Sequence, residues 1–227
     1  MHVVLVHGAG GSERSWSYVL PRLAERGIAA TAADNPSQSL YSDVERVHAI
    51  IDSIDDDVLL VGHSYGGAVI TNAGHHKRVR GLVYVAAFAP DEGESVQRIV
   101  NSYPAAEVSS FMTRGPQGEW VPSDRPEARE ALAWDVPDEI WEAREDDNRV
   151  SADAIFTETT AKPAWAELPA WYVLATLDKH IQVEAQRDMA ARADAAVTEV
   201  STSHAVPHAA PDAVVSVIEE ALDALGR

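Results

Sequence analysis

The order of strands and helices along the chain constrains its fold more than any other feature. Apolar runs rich in β-branched residues, which are typical of buried strands, alternate with segments of helical periodicity. The predicted strands span residues 3–6, 28–33, 58–61, 82–87, 171–175 and 196–200. The predicted helices span residues 16–25, 43–54, 68–76, 183–192 and 212–225. This order predicts an α/β fold, a doubly wound and mostly parallel sheet of about six strands with helices on both faces.

One stretch, residues 91–162, interrupts this alternation with prolines, tryptophans and acidic residues. We interpret it as a cap inserted into a core formed by residues 1–90 and 163–227. Residues 125–134 and 138–144 have helical composition, and Gly-Pro-Gln-Gly at 115–118 is a strong turn signal.

Length, charge and cysteine content narrow the classes of function. A chain of 227 residues that is 46% hydrophobic is long enough for one domain with a large core. A formal charge of −18 opposes binding to nucleic acid or to an acidic membrane. Without cysteine there is no disulfide, thiolate nucleophile or cysteine-bound zinc.

The N-terminal residues predict a strand rather than a signal peptide, because no basic segment precedes the short apolar run at residues 3–6. No apolar stretch is long enough to span a bilayer. We therefore expect a cytoplasmic protein with no membrane partner. The sequence leaves open whether the protein forms a homodimer.

Ser64 is the predicted nucleophile. Gly62-His63-Ser64-Tyr65-Gly66 follows an apolar strand and precedes a helix, which is the context that a G-x-S-x-G turn requires. Glycines on both sides allow strand and helix to approach closely, and the helix N-terminus favours negative charge near the serine. A glycine-rich turn without chemistry is the alternative.

A glycine-rich segment, His7-Gly8-Ala9-Gly10-Gly11, ends the first predicted strand. Its backbone can fold back so that the N–H of Ala9, together with the N–H of Tyr65, forms an oxyanion hole. A phosphate-binding loop is the alternative, but the spacing fits neither G-x-G-x-x-G nor the P-loop pattern. We expect His7 to hold the loop rather than to move a proton.

His204 is the predicted general base, since it follows the last predicted strand and precedes the last helix. His208 and His180 are its rivals. His204 and His208 could in principle share a metal, but no carboxylate lies nearby, and Pro207 is expected to open the last helix and separate the two. We therefore predict neither a metal nor another cofactor.

Asp178 is the predicted acid, because it ends the fifth predicted strand and lies between the serine and the histidine in sequence. Asp91, after the fourth strand, competes for this role. A carboxylate in such a loop can also be merely solvated.

The order Ser64, Asp178, His204, together with His7-Gly8-Ala9, resembles the α/β-hydrolase superfamily over essentially the whole chain. The chain looks like the plant-type esterase and hydroxynitrile lyase group. Residues 169–217, with Ala-Thr-Leu-Asp at 175–178 and Ser-His at 203–204, are similar to its bacterial counterparts. The resemblance implies a carboxylesterase that acts on a small to medium neutral ester through an acyl-enzyme.

The residues present favour some activities of the superfamily over others. The lyases that this chain resembles carry a lysine after the catalytic histidine and a threonine after the first-strand histidine, whereas this chain has Ala205 and Gly8. Dehalogenases and epoxide hydrolases use aspartate in place of Ser64. Perhydrolases and carbon–carbon bond hydrolases keep the same triad, and a non-catalytic receptor can keep the fold, so these alternatives stay open.

Substrate choice is expected to depend on the cap, where aromatic residues supply apolar surface near the strand ends. These side chains can equally form the core of the cap itself. The candidate substrate-binding residues are Gly8, Phe111, Trp120, Trp134 and Trp141.

Overall fold

The structure is a computed structural model that describes residues 1–115, 120–122, 126–143 and 149–226. Eight strands are β1 His2–Val6, β2 Ala30–Ala33, β3 Val58–His63, β4 Val79–Val85, β5 Met112–Arg114, β6 Trp120–Pro122, β7 Ala170–Ala175 and β8 Ala196–Val200. Helices are α1 Leu20–Glu25, α2 Leu40–Asp52, α3 Tyr65–Ala73, α4 Val96–Asn101, α5 Pro126–Ala133, α6 Asp138–Glu142, α7 Ala154–Thr157, α8 Val183–Arg192, α9 Val206–Ala209 and α10 Pro211–Ala224.

The central sheet has six strands in the order β2-β1-β3-β4-β7-β8, and every neighbouring pair is parallel. This confirms the predicted α/β fold. Because all six strands run in the same direction, their carboxyl ends meet at one edge of the sheet, where such folds bind ligands.

The side chains of β3 alternate between two hydrophobic cores, one on each face of the central sheet. Val58 and Leu60 pack on one face with residues of α2, α3 and α8. Leu59 and Val61 pack on the other face with residues of α1 and α10. Successive strand side chains point to opposite faces, so a strand buried on both faces has a continuous apolar sequence. Helices therefore cover both faces, as predicted.

Two helix starts that involve prolines differ from the sequence-based expectation, and α2 and α3 each begin three residues before their predicted starts. The predicted helix over residues 16–25 is a 3-10 turn, Glu13–Trp16, followed by α1, with Pro21 in the first turn of α1. Pro207 lies in the single turn α9, and Pro211 opens the last helix instead. The expectation for Pro207 was wrong because either proline suits a first helical turn, and sequence spacing alone does not choose between them.

The cap region contains more regular structure than its sequence predicts. Helices α5 and α6 lie within the two predicted segments. Helices α4 and α7 and an antiparallel hairpin of β5 and β6 were not predicted. The hairpin strands flank the predicted turn, of which residues 116–118 lie outside the described residues. Within the described parts of the chain, no helix combines the length and the apolar character needed to cross a membrane.

Candidate active site

Three of the predicted site residues follow strands of the central sheet. Ser64 follows β3, Asp178 lies in the loop after β7, and His204 lies in the loop after β8. All three are at least nine-tenths buried, with exposed fractions of 5%, 7% and 3%. The parallel sheet thus brings together, at one edge, residues that are far apart in sequence.

The backbone of Ser64 adopts φ 53° and ψ −124°, a conformation that residues with a Cβ rarely occupy. Such a residue costs about 1–3 kcal/mol and persists only where its surroundings impose it. Here the segment after β4 does so, since the Ser64 N–H donates to Val85 O at 3.3 Å and the Phe88 N–H donates to Ser64 O at 3.1 Å.

Gly62 and Gly66 are required by the close approach of backbone at this turn. A Cβ on Gly62 would lie 2.5 Å from the carbonyl oxygen of Gly66, and a Cβ on Gly66 would lie 2.3 Å from the carbonyl oxygen of Val6. Both distances are far below van der Waals contact. The glycines of the G-x-S-x-G motif are therefore steric necessities of the strand-to-helix turn.

The loop after β1 lies directly against the serine. A Cβ on Gly8 would stand 3.0 Å from Ser64 Cβ and 3.5 Å from Ser64 Oγ. His7 holds this loop as expected: its Nδ1 lies 2.8 Å from Gly8 O, and the Asn35 N–H donates to its Nε2 at 3.0 Å. The Nε2 atom accepts, so the proton is on Nδ1 and the ring is neutral.

Of the two predicted oxyanion donors, Tyr65 directly follows Ser64, and Ala9 lies in the loop whose Gly8 borders the serine. Among hydrogen bonds between described residues, neither the Ala9 N–H nor the Tyr65 N–H has an acceptor. Tyr65 is the first residue of α3, where backbone N–H groups have no partner within the helix. These two groups remain available to a substrate oxygen.

Asp178 and His204 form a buried hydrogen-bonded pair, with 2.8 Å between Asp178 Oδ2 and His204 Nδ1. The other carboxylate oxygen accepts from the backbone N–H groups of His180 at 2.6 Å and Ile181 at 3.0 Å. Because donors surround the carboxylate, it is the acceptor toward His204, and His204 carries its proton on Nδ1. Its Nε2 then has the lone pair of a base.

Burial is the main influence on the protonation of this pair. It raises the pKa of Asp178, although electrostatic interaction with His180 and the two backbone N–H groups oppose the shift. It lowers the pKa of His204. A low-dielectric interior disfavours the imidazolium, so His204 is neutral at rest.

Two further histidines contact His204: His180, a rival candidate for the general base, and His63, for which the sequence predicted no role. The His180 ring stacks on His204 with centroids 4.2 Å apart and an interplanar angle of 18°. The His63 ring lies 4.9 Å away, and its Nε2 is 2.9 Å from the His204 carbonyl oxygen. A carbonyl only accepts, so His63 donates and ties the histidine loop to the residue before Ser64.

Tyr65 has a second, unpredicted contact through its side chain. Its hydroxyl donates to Asp43 Oδ2 at 2.8 Å, and the Ser37 N–H donates to the other oxygen at 3.2 Å. Burial raises the pKa of Asp43 to about 6. In sequence Asp43 is an acid in the first turn of a helix, a position that gives no signal of burial.

Of the rival residues, His180 lies at the site, stacked on His204, whereas Asp91 and His208 lie elsewhere. Asp91 is exposed and accepts from the Glu92 N–H at 2.7 Å in its own turn. His208 lies in α9, where its ring contacts Tyr18 edge to face. Asp178, rather than Asp91, is the carboxylate that reaches His204. Among the described residues, no three metal-binding side chains are grouped so that they could hold an ion.

The aromatic cap residues have different surroundings. Trp134 is 41% exposed and borders an open cleft that reaches Asp178. Trp141 packs with Val136 and Ala205, and Arg129 lies over its ring at 5.5 Å. Phe111 is partly buried and ends a 3-10 turn, whereas the side chain of Trp120 lies outside the described residues. Trp134 and Trp141 thus lie near the site, Trp134 at the cleft that reaches Asp178 and Trp141 against Ala205.

The cap also contacts the loop that carries His204. Asp135, between α5 and α6, accepts from the Ser203 N–H at 2.8 Å. Ala133 and Val136 pack against Ala205. Polar and apolar contacts thus fix the loop immediately before and after the histidine.

Comparisons with known proteins agree with this architecture. The chain is 33% identical over 126 residues to a carbendazim hydrolyzing esterase of Nocardioides sp. (strain SG-4G), covering 49% of this chain and 52% of that protein. It is 30% identical over 117 residues to salicylic acid-binding protein 2 of Nicotiana tabacum, covering 45% of each. The chain therefore spans about half the length of these curated relatives.

Solved structures show the same fold over nearly the whole chain. A pyrethroid hydrolase from Sphingobium faniae JZ-2 has a TM-score of 0.87 at 22% identity, covering 99% of this chain and 98% of that one. The model of the alpha/beta hydrolase family matches residues 3–217. The chain belongs to the alpha/beta hydrolase family.

Proposed function

We propose that this protein is a carboxylesterase in which Ser64, His204 and Asp178 act as nucleophile, base and orienting acid. The observation that carries the proposal is the buried Asp178–His204 hydrogen bond of 2.8 Å at the sheet edge where the strained Ser64 emerges. A serine hydroxyl is a weak nucleophile, and a histidine oriented by a carboxylate is what activates it. Esterases among the relatives support the same reaction class.

The proposed reaction has two halves. His204 Nε2 takes the hydroxyl proton as Ser64 Oγ attacks the ester carbonyl, and the Ala9 and Tyr65 N–H groups hold the oxyanion. Collapse of this tetrahedral species breaks the bond to the alkoxy oxygen, which takes the proton from His204, and leaves an acyl-enzyme. Water then attacks the acyl group with His204 again as base, and the carboxylic acid is released.

Resting geometry supports these assignments. Asp178 holds the proton of His204 on Nδ1, so Nε2 is free to accept one. The Ala9 and Tyr65 N–H groups, unpaired among described residues, lie at the two segments that border Ser64. Oxyanion donors of this kind each contribute about 10²- to 10³-fold in rate.

Substrate selection is proposed to involve the cleft bordered by Trp134, Leu177 and Lys179 beside Asp178. Trp134 and Leu177 supply exposed apolar surface there, with exposed fractions of 41% and 48%. The formal charge of −18 favours neutral or cationic esters over anionic ones. We therefore propose a small to medium neutral ester as substrate.

Substitution of the nucleophile tests the proposal. We expect Ser64→Ala to abolish hydrolysis of p-nitrophenyl butyrate and covalent labelling by a fluorophosphonate, while the folded protein keeps its circular dichroism spectrum. Ser216→Ala, which changes an exposed serine on α10, is the matched control and should keep both. Full activity in the Ser64 variant would contradict the proposal. Folded wild-type protein that neither hydrolyses nor labels would instead indicate a ligand-binding role.

A further inference from the structure

Gln186 is a fully buried polar side chain on α8, with an exposed fraction of 0%. The reaction proposed above gives it no role. A buried amide is stable only when its oxygen and both N–H groups have partners, so each partner carries information about why the residue is there.

Backbone contacts fix the orientation of this amide. The Ala175 N–H, at the end of β7, donates to Gln186 Oε1 at 3.1 Å. The Gln186 Nε2 group donates to the carbonyl oxygen of Ile181 at 3.1 Å. A backbone N–H can only donate and a carbonyl can only accept, so the two ends of the amide cannot be exchanged.

The second N–H of Gln186 points at the acid of the site. It donates to Asp178 Oδ2 at 2.9 Å, the same oxygen that accepts from His204 at 2.8 Å. The other oxygen of Asp178 accepts from the His180 and Ile181 backbone N–H groups. Donors therefore hold both oxygens of the carboxylate, and Gln186 is the side chain that fixes the oxygen facing His204.

We propose that Gln186 is a positioning residue that holds the Asp178 carboxylate in its ionised form and in line with His204 Nδ1. It connects the end of β7 to the acid through one rigid amide and acts on the reaction only through Asp178. This inference rests on the proposed esterase function. A purely structural role, as a link between α8 and β7, would change stability but not the protonation of the Asp178–His204 pair.

Replacement by methionine removes the donor and keeps the length of the side chain. With one donor fewer, the ionised form of the Asp178 carboxylate is less stabilised. The Asp178–His204 pair therefore binds a proton at a higher pH. We expect Gln186→Met to lower kcat for p-nitrophenyl butyrate by about 10- to 100-fold. We expect KM to stay within about twofold and the acidic limb of the kcat profile to move up by about one pH unit.

A second variant and a control keep the test specific. Gln186→Glu keeps the shape but places a second carboxyl group beside Asp178, so it should move the acidic limb further up than the methionine variant. Gln38→Met changes an exposed amide that bonds to backbone carbonyls at Pro36 and Val150, and it should leave the profile unchanged.

The outcomes separate this inference from the proposed function. A lower melting temperature with an unchanged acidic limb in both Gln186 variants would overturn the positioning role. If wild-type protein neither hydrolyses the ester nor labels, the esterase proposal fails. The NMR chemical shift of the His204 Nδ1 proton then tests the role of Gln186. A changed shift in Gln186→Met supports positioning, and an unchanged shift contradicts it.

Discussion

Asp178 decides which nitrogen of His204 carries the proton, and therefore which nitrogen can accept one. Its Oδ2 lies 2.8 Å from Nδ1. An asparagine at this position can present an N–H instead and favour the other tautomer, which leaves no lone pair for the serine proton.

We expect Asp178→Asn to lower kcat for p-nitrophenyl butyrate by about 10³- to 10⁴-fold with little change in fold. Steady-state kinetics and circular dichroism measure the two effects. Asp91→Asn, which changes the exposed rival carboxylate, should retain full activity. A severe loss in the Asp91 variant with none in the Asp178 variant would reverse the assignment of the acid.

Acidification tests the burial of His180. Burial lowers its pKa to about 3. An unfolded histidine binds a proton below about pH 6.5, so the folded state loses up to about 1.4 kcal/mol per pH unit below that value. Asp178 and Asp43, whose pKa values burial raises to about 6, act in the opposite direction. Only a comparison of the wild-type protein with a His180 variant therefore isolates the contribution of this histidine.

We expect His180→Phe to reduce the dependence of unfolding free energy on pH by up to about 1.4 kcal/mol per unit between about pH 6 and pH 4. Above about pH 7 the unfolding free energies of wild type and variant should depend on pH in the same way, because His180 is neutral there in both the folded and the unfolded protein. Urea unfolding across this range measures the difference. Parallel curves for the two proteins at all pH values would contradict the expectation.

Residues with a motif or a strand-end position were predictable, and buried polar partners were not. Ser64 lies in a five-residue pattern whose glycines are sterically required, and Asp178 follows an unbroken apolar run. Gln186 and Asp43 lie on helices most of whose other polar residues are exposed. A polar residue on an amphipathic helix predicts exposure by default, and only tertiary packing reverses it.

At the scale of elements, the cap and the loop before α9 depend on each other. Asp135 accepts from the Ser203 N–H, while Ala133 and Val136 cover Ala205. A backbone N–H left without its acceptor costs about 1–3 kcal/mol when buried. Loss of this contact also frees the backbone next to His204.

We expect Asp135→Ala to lower the unfolding free energy by about 1–3 kcal/mol and kcat by about tenfold. Asp135→Asn keeps an acceptor oxygen and should restore most of both. Asp138→Ala removes an exposed cap carboxylate paired with Arg129 and should change stability by about 1 kcal/mol or less. Denaturant unfolding and kinetics of the three variants test the contact, and equal effects at residues 135 and 138 would argue against it.

Periodicity predicted the long elements well and the short ones poorly. The bounds of α8 and β8 agree with the prediction, but β8 is an edge strand whose residues are exposed or half-buried, whereas its sequence was expected to form a buried strand. Hairpin strands β5 and β6 have three residues each, too few for a period to be recognised. Helix α3 begins three residues before its predicted start, because the turn at Ser64 leads into it directly.

At the scale of the whole molecule, the overall charge affects how easily charged small molecules approach the protein. A net charge of −18 creates a negative potential that repels anions and is screened by salt, with a Debye length of about 10 Å at 0.1 M. An anionic ester therefore meets a barrier at low ionic strength that a neutral ester of equal size does not.

We expect kcat/KM for the mono-p-nitrophenyl ester of glutaric acid to rise as salt increases from about 10 to about 200 mM. The value for p-nitrophenyl butyrate should remain nearly constant. Initial rates under the same conditions compare the two esters directly. An anionic ester that reacts faster at low salt would show that local positive charge at the site outweighs the overall field.

The backbone bonds of Ser64 to Val85 and Phe88 have a consequence for protein engineering. The motif supplies the side chain and the room for a sharp turn, but the next strand of the sheet supplies the atoms that hold it. A peptide of residues 58–73 grafted into another scaffold would carry the pentapeptide without its reactive conformation. What must be transplanted is the pair of adjacent strands, since the conformation of Ser64 is a property of their junction.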